Sequence, residues 1–409
     1  MKTIAYYLND FSKSPLRGVQ QKSLLYKRRI ITFLAVNEAC TLSDLAAELN
    51  TSIPTVTKFV FELIADKIIV DYGKIETSGG RRPNLYGLAQ SSICFVGVDV
   101  CHHHISFVVT DLRNNVIDIK SHEPFELVNT EVCLDELCTR ISAYIEGADV
   151  DPTKILGIGV SLSGRINSNT GYSYHYFNFT GRPLSEIIER RTGFRVLVEN
   201  DTRAGCYAEY ANLEAEGASN MIYFYISYGL AAGIIVDGKL YYGKSGFAGE
   251  FGHIPLFEND IICQCGKKGC LETEVSGIAL ERIMEERIRA GYTTSLSKRC
   301  EQGEPIYAKD IIEAAKNDDV LSIELIEEMG EKAGRAIAML LNIFNPELFI
   351  VGGLLAGAGD YLMLPIKSAV NKYAANLVHS DTRFGLSTLD DNARLFGVTM
   401  LIREKILGL

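Results

Sequence analysis

From Lys27 to Val36 apolar residues recur at helical spacing (Ile30, Ile31, Phe33, Leu34), which predicts an amphipathic helix, and Asn37-Glu38-Ala39-Cys40 breaks the run. Thr41 followed by an acid at Asp44 predicts a capped second helix, short, with Leu45, Ala46 and Leu49 as its apolar stripe. Asn50-Thr51-Ser52 reads as a turn. Pro54 then stands where a first-turn proline is tolerated, and Val56, Val60, Leu63 and Ile64 carry a third helix to Lys67. Next, Ile68 to Gly73 and Leu85 to Leu88 flank the turn-rich stretch Thr77 to Pro83, a hairpin pattern. Helix, short helix, turn, helix and hairpin make a winged helix-turn-helix. In such a module Ser52, Thr55, Thr57 and Lys58 begin the helix that faces the major groove, and Arg81 and Arg82 at the wing tip reach phosphates or a minor groove. The same pattern also suits a module used only for protein contact.

After Ser91 strand-like runs take over. Phe95 to Val100, Ile105 to Asp111 and Val116 to Ile119 read as three antiparallel strands. The rhythm returns at Met221 to Ser227, Gly233 to Val236 and Lys239 to Tyr242, with Asp237-Gly238 as a two-residue turn. Each triplet leads into helix-length segments and further short strands, Ile155 to Val160 and Leu348 to Gly353. The expectation is two related α/β halves with a ligand between them. The divisions fall at 1–90 for the winged head, 91–200 for a first lobe completed by a C-terminal helix at 390–409, and 201–389 for a second lobe. Lys332 to Leu341 and Ala393 to Leu407 are apolar enough to bury in a core or at a subunit contact, and the pattern does not choose between these.

Charge refines the picture. The net charge of −10 taken alone argues against a nucleic-acid partner, but residues 1–90 hold 12 Lys/Arg against 8 Asp/Glu, and the remainder holds 29 against 43. Only the head is suited to approach phosphate. A 47% hydrophobic and 22% charged composition describes a globular chain, and its longest apolar runs, such as Leu348 to Leu355, are too short to span a bilayer. Without a secretory apolar segment at the N-terminus, and with ten cysteines mostly dispersed, the chain is expected in a reducing cytoplasm, away from membranes.

Three of those cysteines cluster. His253, Cys263, Cys265 and Cys270 read His-x9-Cys-x-Cys-x4-Cys, and three thiolates with one imidazole complete a tetrahedral zinc shell with no place for water. Such a closed site is structural. Buried free cysteines beside a core histidine are the plainer alternative. Glu250 and Glu272 flank the loop, so folding it around zinc would bring two acids together.

Several motifs converge: Gly80-Arg81-Arg82-Pro83, Glu199-Asn200-Asp201, Gly249-Glu250-Phe251-Gly252-His253, the cysteine loop ending at Glu272, and Asn345-Pro346-Glu347 leading to Gly352-Gly353. Together they make the chain resemble the ROK family of repressors, open reading frames and sugar kinases, and the winged head places the resemblance with its repressor branch. The fold implied is α/β: an N-terminal winged helix-turn-helix followed by a two-lobed, actin-like or hexokinase-type ATPase fold with a structural zinc loop. The resemblance also implies sugar contacts from Gly164, Arg165, Asn178, Asn200, Asp201, Glu250, His253 and Glu272. It makes Asp201, the base in kinases of this family, a vestigial candidate here, and a plain helix N-cap is its other reading.

Phosphoryl transfer needs more than a base, because ATP phosphates are cradled by closely approaching backbone N–H groups that glycines permit. Asp99 is followed by Val100-Cys101-His102-His103-His104, with no glycine. The second loop, Ser227-Tyr228-Gly229-Leu230-Ala231-Ala232-Gly233, has Tyr228 in place of the family's threonine, and Leu354 follows Gly352-Gly353 where a further glycine is common. Three adjacent imidazoles rarely converge on one ion, so no second metal is expected at His102 to His104. The expected function is a sugar-responsive DNA-binding regulator, a repressor, that holds a sugar or amino sugar between its lobes without phosphorylating it and pairs as a homodimer or homotetramer on operator DNA. A sugar kinase that retains a DNA-binding head is the alternative, and a zinc sensor is a weaker third reading.

Overall fold

The computed structural model describes residues 4–8, 18–37, 39–74, 83–89, 93–213, 217–389 and 392–408. Gly80, Arg81 and Arg82 of the wing lie outside these residues.

The head is built from α1 (Ile4–Leu8), α2 (Val19–Val36), β1 (Ala39–Cys40), α3 (Leu42–Glu48), α4 (Ile53–Ala65), β2 (Ile69–Lys74) and β3 (Asn84–Leu88). The expected start of the first long helix at Lys27 is corrected, since α2 begins eight residues earlier, at Val19 after Gly18 at φ 69°. Its first half is dominated by Gln20, Gln21, Lys22 and Ser23, so apolar spacing does not reveal it. The expected break at 37–40 is met, since α2 ends at Val36 with Asn37 as its cap, and part of the break forms a strand. Ala39 and Cys40 pair with Gly87 and Tyr86, giving a three-stranded sheet in the order β1-β3-β2. The capping box at Thr41 is present, with Thr41 N–H donating to Asp44 Oδ2 (2.9 Å) and Asp44 N–H to Thr41 Oγ1 (3.2 Å). Helix α4 buries Val56, Phe59, Val60 and Leu63. Beneath it Tyr26 stacks on Phe59, Tyr7 donates to Asp66 (2.6 Å), and the buried Lys27 pairs with Glu62 (2.5 Å).

The chain continues through β4 (Cys94–Val100), β5 (His104–Asp111), β6 (Val116–Pro124), α5 (Glu131–Gly147), β7 (Ile155–Leu162), β8 (Ile166–Asn167), β9 (Tyr172–Ser173), α6 (Leu184–Thr192), β10 (Arg195–Asn200) and α7 (Asp201–Leu213). There follow β11 (Met221–Ile226), β12 (Leu230–Val236), β13 (Lys239–Leu240), α8 (Gly277–Arg289), α9 (Ser297–Glu301), α10 (Ala308–Lys316), α11 (Val320–Phe344), β14 (Leu348–Gly352), α12 (Asp360–Tyr373), α13 (Asn376–Asp381), β15 (Arg383–Leu386) and α14 (Ala393–Leu407). Two five-stranded sheets repeat one plan, in the orders β10-β7-β4-β5-β6 and β15-β14-β11-β12-β13. In each an antiparallel triplet is extended by a strand parallel to its first member, β7 beside β4 and β14 beside β11.

Two compact units result, Met1–Glu199 with Val398–Leu409, and Asn200–Gly397. In the first, Gly157 and Gly159 on β7 make room for α14: a Cβ at Gly159 would stand 2.3 Å from the Val398 carbonyl oxygen, and one at Gly157 2.5 Å from Ile406 Cδ1. The two apolar stretches left open by the pattern both lie in cores. Ala333, Ala336, Ile337, Leu340 and Leu341 are buried in the second unit, and Val398, Ile402, Ile406 and Leu407 in the first. Among the described residues no helix is long and apolar enough to cross a membrane.

Candidate functional site

On the head, Ser52 precedes α4 and shares a hydrogen bond with Thr55 (Oγ to Oγ1, 2.9 Å) in place of capping the helix. Thr57 donates its hydroxyl back to the Ile53 carbonyl (2.8 Å), and Lys58 stands exposed. The opposite face of α4 is held in the core, so these polar residues are presented outward by packing.

In the second unit the motif Gly249 to His253 lies against β12. Gly249 adopts φ 90°, and a Cβ there would stand 1.8 Å from the Ala232 carbonyl oxygen; at Gly252 it would stand 2.2 Å from that of Leu230. Only glycine admits this approach. The cysteine loop closes on itself through Gly266 N–H to the Cys263 carbonyl and Cys263 N–H to that of Lys267 (both 2.8 Å), and Cys270 bridges back to Pro255. One ligand atom each from His253, Cys263, Cys265 and Cys270 then falls within 4.8 Å of every other, so the four could hold a metal ion. His253 Nδ1 is 3.5 Å from Cys263 Sγ, and Cys265 and Cys270 sulfurs are 3.6 Å apart. Burial pushes the Cys263 thiol up to about 12 and raises Cys270 as well. Partial burial also pushes Cys265 upward, but the Lys267 N–H and the neighbouring thiols outweigh it and hold Cys265 below its ordinary value. Thiolate ligands in such a place need a compensating cation.

The two flanking acids are tied to this loop. Glu250 Oε2 lies 3.6 Å from His253 Nε2, the ring nitrogen turned away from Cys263. Glu272 Oε1 is 3.6 Å from Cys263 Sγ, while its Oε2 accepts the Leu230 N–H at 3.0 Å. At the start of α7, Asn200 Oδ1 accepts the Arg203 N–H (3.1 Å), so the N-terminal cap is Asn200 and not Asp201. Asp201 Oδ1 accepts from Asn200 Nδ2 (2.9 Å) and from the Thr202 N–H (2.7 Å). The sequence pattern did not single out Arg203, which is buried, donates to the Gly246 carbonyl (2.7 Å) and lies over the Tyr242 ring, joining α7 to the loop that leads to Glu250. An arginine in the first turn of a helix, where the dipole disfavours cations, was the available signal.

Gly164, Arg165 and Asn178 belong to the first unit. The Arg165 carbonyl accepts the Tyr174 N–H (2.9 Å), and Asn178 exchanges hydrogen bonds with Asn129 (Nδ2 to Oδ1, 3.0 Å) and the Tyr174 carbonyl (3.4 Å). His102, His103 and His104 diverge, toward the Tyr176 hydroxyl (3.3 Å), Glu126 (3.0 Å) and the His122 ring (4.7 Å between centroids). Asp99 is buried and accepts from the Ser161 hydroxyl (2.7 Å) and the Cys101 thiol (3.3 Å).

Known proteins share both parts of this architecture. The ROK family profile matches residues 95–405, and a profile described as winged helix-turn-helix DNA-binding matches residues 25–70. A glucokinase of Halalkalibacterium halodurans is 31% identical over 76% of this chain and 95% of its own. The xylose repressor of Caldicellulosiruptor bescii is 28% identical over 93% of this chain and 96% of its own. A solved structure described as a ROK family transcriptional regulator, homologous to the Escherichia coli Mlc protein, superposes with a TM-score of 0.77 at 26% identity, covering 94% of this chain and 97% of that one.

Proposed function

The chain belongs to the ROK family, and from that premise we propose that it is a sugar-responsive transcriptional repressor of carbohydrate genes that binds its sugar without phosphorylating it. The observation that carries this reading is the winged helix-turn-helix match over residues 25–70: the repressor is matched over nearly the full chain, whereas the glucokinase leaves about a quarter of it unmatched. In this reading Ser52, Thr55, Thr57 and Lys58, with Arg81 and Arg82 of the wing, contact operator DNA. Paired heads of a homodimer or homotetramer read palindromic half-sites in the cytoplasm. Asn200, Asp201, Glu250, His253 and Glu272 of the second unit hydrogen-bond sugar hydroxyls.

Zinc is the metal best suited to the cysteine loop. A 2.3 Å Zn–S bond sets two sulfurs of a tetrahedron about 3.8 Å apart, close to the 3.6 Å between Cys265 and Cys270. Zinc would fix His253 through Nδ1 and leave Nε2, 3.6 Å from Glu250 Oε2, to face a sugar hydroxyl, as a ligating imidazole directs its second nitrogen to a polar partner. The metal then braces Glu250, His253 and Glu272 and takes no part in chemistry.

The kinase reading draws on Asp201, held at the start of α7. Against it, Cys101 occupies Asp99 and Glu272 ties the Leu230 N–H, so groups that a phosphate loop would present to ATP are engaged within the chain. ATP-dependent phosphorylation of a sugar by the wild type, abolished by Asp201→Asn, would establish the kinase instead.

The DNA-binding part is tested by fluorescence anisotropy on genomic fragments selected by the protein. A specific site should emerge, and Lys58→Ala should weaken binding to all sequences and reduce the salt slope by about 1, as expected for one lost phosphate contact. Failure to select any sequence, at any sugar concentration, would leave the repressor reading without support.

A further inference from the structure

The side of α4 that faces away from the core of the head is largely apolar. Val56, Phe59, Val60 and Leu63 are buried, while Pro54, Lys58, Phe61 and Ala65, at i, i+4, i+7 and i+11, are exposed on the opposite side. Phe61 is 53% exposed, and Ile53, at the start of the helix, is 50% exposed. Single exposed apolar side chains are ordinary on a protein surface. Two large ones on the helix that a DNA-binding head turns toward the major groove are a different matter, because that helix is where bases are read.

The polar groups of α4 offer little base reading. Between Ser52 and Asp66 there is no Arg, Asn or Gln, the side chains that pair bidentately with guanine or adenine edges. Glu62, a type suited to the cytosine amino group, is paired with the buried Lys27 (2.5 Å). Thr57 donates its hydroxyl to the Ile53 carbonyl (2.8 Å), and the hydroxyls of Ser52 and Thr55 bond each other (2.9 Å). Lys58 is the only cation in the stretch. What this face has left to read with is apolar surface, and in the major groove the apolar group on offer is the C5 methyl of thymine.

We propose that α4 reads its operator through thymine methyl groups, with Phe61 and Ile53 as specificity-determining residues. This rests on the DNA-binding reading above. The operator half-sites then carry thymines at the major-groove positions that these two side chains cover, and burying each methyl against them removes apolar surface of both partners from water.

Replacing thymine by uracil removes the methyl and leaves every hydrogen-bonding group of the base in place. The test is fluorescence anisotropy of the full-length protein on the operator it selects, with each thymine replaced in turn by deoxyuridine. At one or more positions in each half-site uracil is expected to weaken binding about fourfold, the size of one buried methyl. Phe61→Ala, and independently Ile53→Ala, should weaken binding to the thymine duplex and abolish the uracil penalty at the position each side chain covers. The melting temperature of the protein should stay unchanged in both, since the side chains are exposed. Phe61→Leu should retain part of the penalty. Tolerance of uracil at every position, or penalties that survive both alanine substitutions, overturns the methyl readout and leaves the DNA-binding reading intact. Unchanged DNA affinity in Phe61→Ala, together with a fall in oligomer mass by sedimentation, also overturns it and assigns Phe61 to a subunit contact. Selection of no sequence at all removes the DNA-binding reading and the methyl readout with it.

Discussion

Cys270→Ser is expected to strip the metal from the loop, lower the melting temperature by on the order of 10 °C and abolish the response to sugar. Cys270 is fully buried and its sulfur lies 3.6 Å from that of Cys265, so serine leaves a hydroxyl that binds zinc poorly and a site with too few thiolates. The loss then spreads along a chain of contacts. His253 loses the ion that fixes Nδ1 and with it the fixed position of Nε2 beside Glu250, and Glu272, still bonded to the Leu230 N–H, loses the rigid loop that stands against its other oxygen. Metal content by mass spectrometry, a melting curve and sugar binding measured on the same preparation give the check. Zinc lost together with full retention of sugar affinity would separate the metal from the sugar pocket and contradict the bracing role.

The second large effect is expected at Gly249→Ala. The left-handed backbone alone costs a non-glycine residue about 1–2 kcal/mol. At Gly249 the added methyl also meets the Ala232 carbonyl oxygen at 1.8 Å, backbone against backbone, so relief requires moving β12 or the Glu250 turn. A total of at least about 3 kcal/mol follows. Gly181→Ala is the control: Gly181 also has positive φ, at 64°, but nothing lies within 4 Å of the place its methyl would take, so a cost of only about 1 kcal/mol is expected there. Chemical denaturation of both variants measures the difference. Similar small losses at the two positions would show that the contact with β12 yields easily and does not position Glu250.

Local signals were legible in the sequence wherever the determining contacts lie within a few residues. Thr41 and Asp44 announce their capping box, the His-x9-Cys-x-Cys-x4-Cys spacing announces four ligand atoms that converge, and alternating apolar runs give both antiparallel triplets. What the pattern could not give depends on contacts made across the fold. The two-residue strand β1 exists because β3 offers it a free edge. Glu272 Oε2 is engaged by a residue distant in sequence, accepting the Leu230 N–H, so a motif that suggests a sugar contact also conceals a structural tie. Likewise His122 reaches His104 only because β6 bulges there with His122 at φ 58°. The repeated strand order of the two sheets, by contrast, follows directly from the repeated rhythm of the chain.

Sugar binding alone, without phosphoryl transfer, is expected to change the affinity of this protein for DNA. The most direct measurement is anisotropy of the protein on its selected operator with the effector added in the absence of any nucleotide, followed by chemical recovery of the effector. Release of the DNA with the effector recovered unchanged is the predicted result. Release that requires ATP and converts a sugar to its phosphate would contradict the account and identify the chain as a kinase carrying a DNA-binding head.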